Sequence, residues 1–468
     1  MSGRPVYVAA HAPGALPLVG HAWPLLHRPL PFLSSLPQYG DLVEIRLGRV
    51  RAHVPCHPQL LRRVLSDDRT FDKGGPLFAR LRDLVGNGLG SCPYGDHRRQ
   101  RRLVQPAFQR ARIEDYAGVM VDEALRLAAE WRPGETVDAF PAMFGLALRT
   151  VTRTLFSSCV GEDEVARLQR FFETALAGLF RRIFVPAALQ RLPLPANRRY
   201  AHALAGLHGC VDQLITGYLS AGERQYTTAA HQGPCQGERE DRGDLLSALV
   251  AAREEGSALS DGELHDQVIT MLLGGAETVA AALTWALYAL TCNPRVARGL
   301  HDEIDQVLAG RPPAYRDLPH LPRTSQMICE TLRLYPPAWL FTRVTTRPLN
   351  LAGRYLPLGT TLVISPPALH HDPALYPRPA DFLPDRFAGE RPGVPPRGEF
   401  TGFGAGARRC LGDTYALAQT TLTLATLTQR WRVECAPGTD IRPQPLSAVH
   451  RPRHLLLHLA PRTPSPHH

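Results

Sequence analysis

The chain is short of the features that mark several large protein classes. None of its nine cysteines stands in a C-x-x-C pair. That argues against a structural zinc site or a disulfide framework and suits a reducing compartment. No run of eighteen apolar residues occurs, so no transmembrane helix is expected. The N-terminus, "MSGRPVYVAAHAPGALPLVGHAWPLL", has no charged segment leading into an unbroken apolar one, so no secretory signal is expected either. There is no internal repeat. These absences point to a soluble, cytoplasmic protein.

Proline is plentiful, at 43 of 468 residues, about twice its usual share. Such a chain is heavily punctuated by turns and helix stops. Net charge is +10, mostly from arginine, and two arginine clusters stand out at 98–102 and 408–409. A basic balance fits nucleic acid, an anionic surface, an acidic partner or an anionic cofactor. Nucleic acid is the poor option, because no aromatic ladder accompanies the arginines.

The hydrophobic pattern predicts mainly helix with a minority of strand. Residues 1–30 read as extended and 1–15 as a flexible N-terminus. Residues 42–56 alternate around Gly48 as a β-hairpin, and helices are expected at 111–131, 136–156 and 162–185. Residues 221–243 read as a polar surface loop. A helix of roughly 30 residues opens at Ser260, with Glu263 completing a capping box, and closes before Pro294. Strand-like pieces fill 349–364, a last helix 413–430 and a β-like segment 453–459. Residues 461–468 read as a flexible tail.

One loop concentrates chemistry: "FGAGARRCLG", Phe403 to Gly412. Gly404, Gly406 and Gly412 permit sharp turns and close approach of backbone. Cys410 precedes a helix, where free amides and the helix dipole favour an anion, and Arg408 and Arg409 push the same way. A buried structural cysteine is the common fate of a free thiol. A nucleophile would want a paired histidine, and none is adjacent. The setting favours a thiolate ligand.

Phe403-Gly404-x-Gly406-x-Arg408-x-Cys410-x-Gly412 resembles, at every signature position, the haem-binding loop of the cytochrome P450 family. Further segments resemble that family in its order from about residue 15 to 460. They are "HRRQRRLVQPAF" at 97–108, "GGAET" at 274–278, "ETLR" at 330–333 and "PDRF" at 384–387. On their own, "ETLR" reads as a surface ion pair and "GGAET" as a packing notch with a back-bonded threonine. The resemblance implies more: a P450 fold, mainly α with a smaller β part, in one haem-binding domain over 16–460. Haem b would be the cofactor, O2 the co-substrate and Cys410 the metal ligand. His97, Arg101, Gly274, Gly275, Arg343, Phe403, Gly404, Gly406, Arg408 and Gly412 would hold the cofactor. Glu277 and Thr278 would deliver protons, and Glu330, Arg333 and Arg386 would form a buried network supporting the loop.

The implied activity is monooxygenation of an apolar substrate. No cysteine cluster suits an iron–sulfur centre and no flavin-module-sized segment follows residue 460, so electrons are expected from a separate ferredoxin and its reductase. A monomer is expected. Leu77, Phe78, Leu81, Phe180, Met271, Trp339, Leu340 and Phe341 are the candidate substrate pocket. Each alone is more often ordinary core, but the set suits a substrate with few polar handles. "GDLVEIRLG", "HRRQRRLVQPAF" and "RLPLPANRRY" are similar to actinobacterial sesquiterpene oxidases, which implies allylic oxidation of a cyclic, pentalenene-like hydrocarbon. A macrolide, steroid or fatty-acid hydroxylase is the alternative. A haem-thiolate sensor or carrier without oxygen chemistry is the reading from another class.

Overall fold

Alternation around Gly48 predicts a hairpin, and it is present in the computed structural model of the chain. Leu42–Leu47 and Val50–Pro55 pair antiparallel, with Gly48 at φ +61° between them. The structure describes residues 7–156, 161–185, 187–230, 244–254, 259–389, 400–445 and 447–462.

The hairpin is the centre of a six-stranded sheet. Ala9–His11 joins one side in parallel, so part of the stretch expected to be flexible is paired; residues 1–6 lie outside the described residues. Thr361–Ile364, Phe341–Thr345 and Phe71–Asp72 follow on the other side. The N-terminal region is not uniformly extended. Ala22–His27 and Pro29–Ser35 are short helices, and Pro24, Pro29 and Pro31 fall in their first turns. There a missing amide hydrogen costs nothing.

The helices follow the apolar spacing. Arg110–Glu130 and Glu162–Phe184 lie where expected. The stretch 136–156 divides: Thr136–Asp138 pairs with Leu456–Pro461 before Ala139–Phe156 turns helical. The expected loop at 221–243 is also corrected in part. Helix Pro195–Ala230 continues through its first ten residues, which hold one glycine and no proline to stop it. Residues 231–243 lie outside the described residues.

The long helix Asp261–Cys292 has the capping box that the sequence promises. Glu263 N–H donates to Ser260 Oγ at 3.2 Å, and Ser260 N–H to Glu263 Oε2 at 2.9 Å. By length and composition it could cross a membrane, but most of its apolar window is buried inside the protein. It packs against Ala139–Phe156, while the last helix, Asp413–Arg430, packs against Arg110–Glu130. These helices share one continuous apolar core. The sheet caps one side with smaller cores of its own. The expected β-like end is present as Pro452–His454 and Leu456–Pro461, and residues 463–468 lie outside the described residues.

Candidate functional site

The loop before the last helix is held by backbone geometry that needs glycine at two places. Gly404 and Gly406 adopt φ +70° and +66°, the left-handed region. A Cβ on Gly406 would also fall 2.3 Å from the Leu65 carbonyl oxygen. Gly412 is different. It caps the helix at φ −93°, which any residue adopts, and a Cβ there would meet Phe108 at an ordinary 3.5 Å. Cys410 N–H donates to the Phe403 carbonyl at 2.8 Å, and Gly404 N–H to Thr401 O at 2.9 Å. These bonds fold the loop back on itself. Phe403 packs against the main core.

Cys410 therefore presents its thiol to a cavity of about 960 Å³. Met271, Gly274, Gly275 and Thr278 of the long helix line it, together with His97, Arg101 and Arg408. The surrounding protein, by desolvation, raises the thiol to about 11. The Gly412 amide and the Arg101 and Arg409 charges lower it only in part. A metal cation at the sulfur would remove the proton, as coordination requires.

The two adjacent glycines of the long helix, Gly274 and Gly275, do separate jobs. A Cβ on Gly274 meets nothing within 4 Å, since this position faces the cavity. A Cβ on Gly275 would meet Val151 Cγ2 at 2.8 Å, on the neighbouring helix. Gly275→Ala should therefore push the two helices apart and cost about 1–3 kcal/mol as overpacking. Gly274→Ala should leave stability unchanged or raised and instead narrow the cavity. Thermal melts of the two variants check this contrast.

Thr278 Oγ1 donates to Gly274 O at 2.6 Å, the back-bonded arrangement, and the helix stays continuous there. Glu277 is buried beside it. Burial raises its carboxyl to about 7, with Arg451 pulling the other way. An acid that titrates near neutrality can both give and take a proton.

One wall of the cavity carries an excess of cations. Arg408 is bound to Asp72 Oδ1 at 2.8 Å, Asp68 Oδ2 at 3.2 Å and Cys92 O at 2.9 Å. Arg101 donates to the Arg409 and Ala407 carbonyls at 2.7 and 3.0 Å, so it braces the cysteine loop from outside. Arg343, on strand Phe341–Thr345, is buried and donates to Thr342 O at 3.0 Å. His97 is buried among these charges. Burial, then Arg408, Lys73, Arg101 and Arg343, lower its pKa to about 3. Lys73, which sequence reading missed, also lines the cavity. It is the sole lysine of the chain, which was the available signal. A thiol beneath a broad cavity and a cationic wall fit a flat metal macrocycle with two carboxylates.

The "ETLR" pair is a buried network. Glu330 and Arg333 are both 0% exposed and joined twice, at 2.7 and 2.9 Å. Arg386 Nε lies 3.4 Å from Glu330 Oε1, which also accepts the Leu383 amide at 2.8 Å. His370, unforeseen from sequence, links this network to the cysteine loop. Its Nδ1 lies 3.0 Å from Arg333 O, and its Nε2 accepts the Thr401 N–H at 3.0 Å. These bonds fix the neutral tautomer that carries its proton on Nδ1. Phe400 stacks on its ring at 5.0 Å.

Burial holds His370 and His450 neutral down to about 3. Unfolded, each protonates at about 6.5. The unfolded chain thus binds protons that the folded one refuses. Stability should be full above about pH 6.5 and fall by roughly 1.4 kcal/mol per histidine per pH unit as pH drops toward 3. Melting temperatures between pH 7 and 4 check the slope.

The expected substrate-pocket residues do not form one set. Leu77, Trp339 and Leu340 line a second apolar cavity of about 1030 Å³ with Ile183 and Val449, between the sheet and segment 443–450. Met271 lines the Cys410 cavity. Phe78 is buried and sits 6.0 Å from Lys73 Nζ, and Leu81 packs on the main core. Phe341 packs on the sheet, with Arg343 over its ring at 5.3 Å. The side chain of Phe180 lies outside the described residues. Apolar character does not encode depth, so sequence could not sort these.

Comparison with known proteins agrees with this geometry. The family model for cytochrome P450 matches residues 11–458. Pentalenene oxygenase of Streptomyces avermitilis is 50% identical over 461 residues, covering 98% of each chain. Cyclooctatin synthase of Streptomyces melanosporofaciens is 45% identical, covering 93% of this chain and 92% of its own. Cyclooctat-9-en-7-ol 5-monooxygenase of the same organism is 42% identical over 433 residues. Among solved structures, the cytochrome P450DA heme domain superposes with a TM-score of 0.82 at 23% identity, over 98% of this chain and 99% of that one.

Proposed function

The chain belongs to the cytochrome P450 family and is a monooxygenase, and on that premise we propose that it oxidises a cyclic sesquiterpene hydrocarbon of the pentalenene type at an allylic carbon. The observation that carries this reading is the 50% identity to pentalenene oxygenase across 98% of both chains. A separate apolar cavity lined by Leu77, Trp339 and Leu340 offers hydrocarbon contact and few hydrogen bonds, while Met271 and Val279 line the Cys410 cavity itself. A polyhydroxylated macrolide would want more polar partners.

Haem b, held by Cys410, supplies activation of O2 when bound. The chain's own residues do the rest. His97, Arg408 and Lys73, with Arg343 nearby, would hold the haem carboxylates, and Gly274 leaves the cavity open. Thr278 passes a proton into the cavity from Glu277, whose near-neutral carboxyl is suited to repeated transfer. The buried Glu330–Arg333–Arg386 network and His370 fix the loop that carries the sulfur. In this reading the protein is a cytoplasmic monomer.

Electrons come from a separate acidic donor, a ferredoxin reduced by its own reductase. A cleft beside the cysteine loop is lined by Arg98, Arg101 and Arg102 near Ala407. That patch suits an acidic partner, and turnover should then fall with added salt.

Thr278→Ala should keep the cofactor and divert electrons to hydrogen peroxide. Product formed per electron consumed measures this, and undiminished coupling would remove Thr278 from proton delivery. The substrate reading is tested by titrating the ferric protein with pentalenene. A low-spin to high-spin change supports it. A thiolate-ligated protein with no spin change would remove the terpene and leave the oxygenase.

A further inference from the structure

Of 53 cationic side chains, 52 are arginine and one is lysine, Lys73. It follows the edge strand Phe71–Asp72, whose Asp72 pairs with Val344 beside Arg343. Its side chain is half-buried and lines the Cys410 cavity. Nζ donates to Leu89 O at 2.9 Å and Gly90 O at 2.7 Å. An ammonium has three hydrogens, so one remains for another partner.

No carboxylate among the described residues forms an ion pair with it. Asp72, the nearest acid, is already engaged. Its Oδ1 accepts Arg408 Nη2 at 2.8 Å and the Lys73 amide at 2.7 Å, and its Oδ2 the Tyr94 amide at 2.8 Å. The other charged or titratable groups facing Lys73 are Arg408, Arg343 and the Cys92 thiol, with His97 close by. The environment is a cationic wall without an anion to match.

Resting on the haem reading above, we propose that the Lys73 ammonium gives its third hydrogen to a haem carboxylate, and that cofactor binding takes up a proton at this lysine. Arginine cannot release its proton in a protein; lysine can. Burial and the Arg408 charge lower Lys73 to about 7. Near neutrality the lysine is therefore partly discharged until an anion arrives. A bound carboxylate favours the charged form, so affinity should be full below about pH 7 and weaken as pH rises above it. His97 is the rival source of the proton, since it too is held neutral on this wall.

The uniqueness of Lys73 makes the test direct. Growth on ¹³C-lysine gives the full chain a single lysine side-chain signal. Two diamagnetic forms are compared, one loaded with zinc protoporphyrin and one with its dimethyl ester. The proposal expects the Lys73 signal to stay in its charged position up to about pH 9 with the free acid. With the ester it should titrate near 7. Identical titration in both forms overturns the proposal.

Haem release to a scavenging globin gives a second readout. Lys73→Met should release haem roughly tenfold to a hundredfold faster. Lys73→Arg should restore retention but abolish its pH dependence between 7 and 9. A pH dependence that persists in Lys73→Met would assign the proton to His97 and overturn the proposal. A protein that never shows a thiolate band on haem loading would fail the haem reading itself, a separate result.

Discussion

Cys410→Ser should fold, melt within a few degrees of the parent and lose product formation to background. The side chain faces the cavity rather than the packed core, and serine is slightly smaller, so no overpacking follows. The Cys410 N–H bond to Phe403 O and the turns at Gly404 and Gly406 are backbone features, which the substitution leaves in place. What is lost is the sulfur ligand. A hydroxyl does not supply the electron donation of a thiolate. The reduced, carbon monoxide-bound variant should lack the red-shifted thiolate band even where cofactor is retained. The Arg343, Arg408 and Lys73 wall is untouched by the change, so some cofactor should remain. A variant with full activity would remove Cys410 from the site.

Arg333→Ala should show the largest loss of stability. It leaves Glu330, itself 0% exposed, as a buried carboxylate. Arg386 at 3.4 Å and the Leu383 amide are its remaining partners. Breaking a buried pair from one side typically costs about 3–5 kcal/mol. The Arg333 guanidinium also donates to the carbonyls of His370 at 2.7 Å, Pro379 at 2.8 Å and Asp381 at 3.1 Å, which would be orphaned together. Melting should drop by roughly 3–5 °C. Cofactor content should fall with it, because His370 carries the disturbance to Thr401 in the cysteine loop. Lysine should rescue poorly, since an ammonium cannot reproduce the double contact to Glu330. Removing both charges, as in Glu330→Leu with Arg333→Leu, should destabilise less than Arg333→Ala alone. A double variant as unstable as the single one would locate the cost in the lost carbonyl bonds rather than in the stranded charge.

The legible parts of this protein are those where local chemistry repeats at short spacing. The cysteine loop could be read because Gly404 and Gly406 answer a backbone demand that glycine meets at least cost. The long helix could be read because its capping box and its apolar period agree. Glu330 and Arg333 could be read as a pair from their spacing. That they are buried depends on the 370–386 segment folding over them, which the pair alone does not reveal.

What sequence could not supply was depth and long-range meeting. Lys73 follows a two-residue strand and gains its meaning from Arg343 and Arg408, hundreds of residues away. His370 reads as one of two adjacent histidines until its ring is placed between Arg333 and Thr401. Leu77 and Met271 are equally apolar in sequence, yet they line different cavities. The prolines near the N-terminus suggested extension, but their places in the first turns of two short helices allow helix instead.

On this reading Cys410 and Thr278 serve the insertion of oxygen from O2 into a cyclic terpene hydrocarbon. Turnover of pentalenene under ¹⁸O2, with a ferredoxin and its reductase, tests it most directly. The expected alcohol carries one ¹⁸O atom, and it is absent without the electron donors and absent in Cys410→Ser. Electron consumption that yields only peroxide and water, from a protein whose thiolate band is intact, would contradict it.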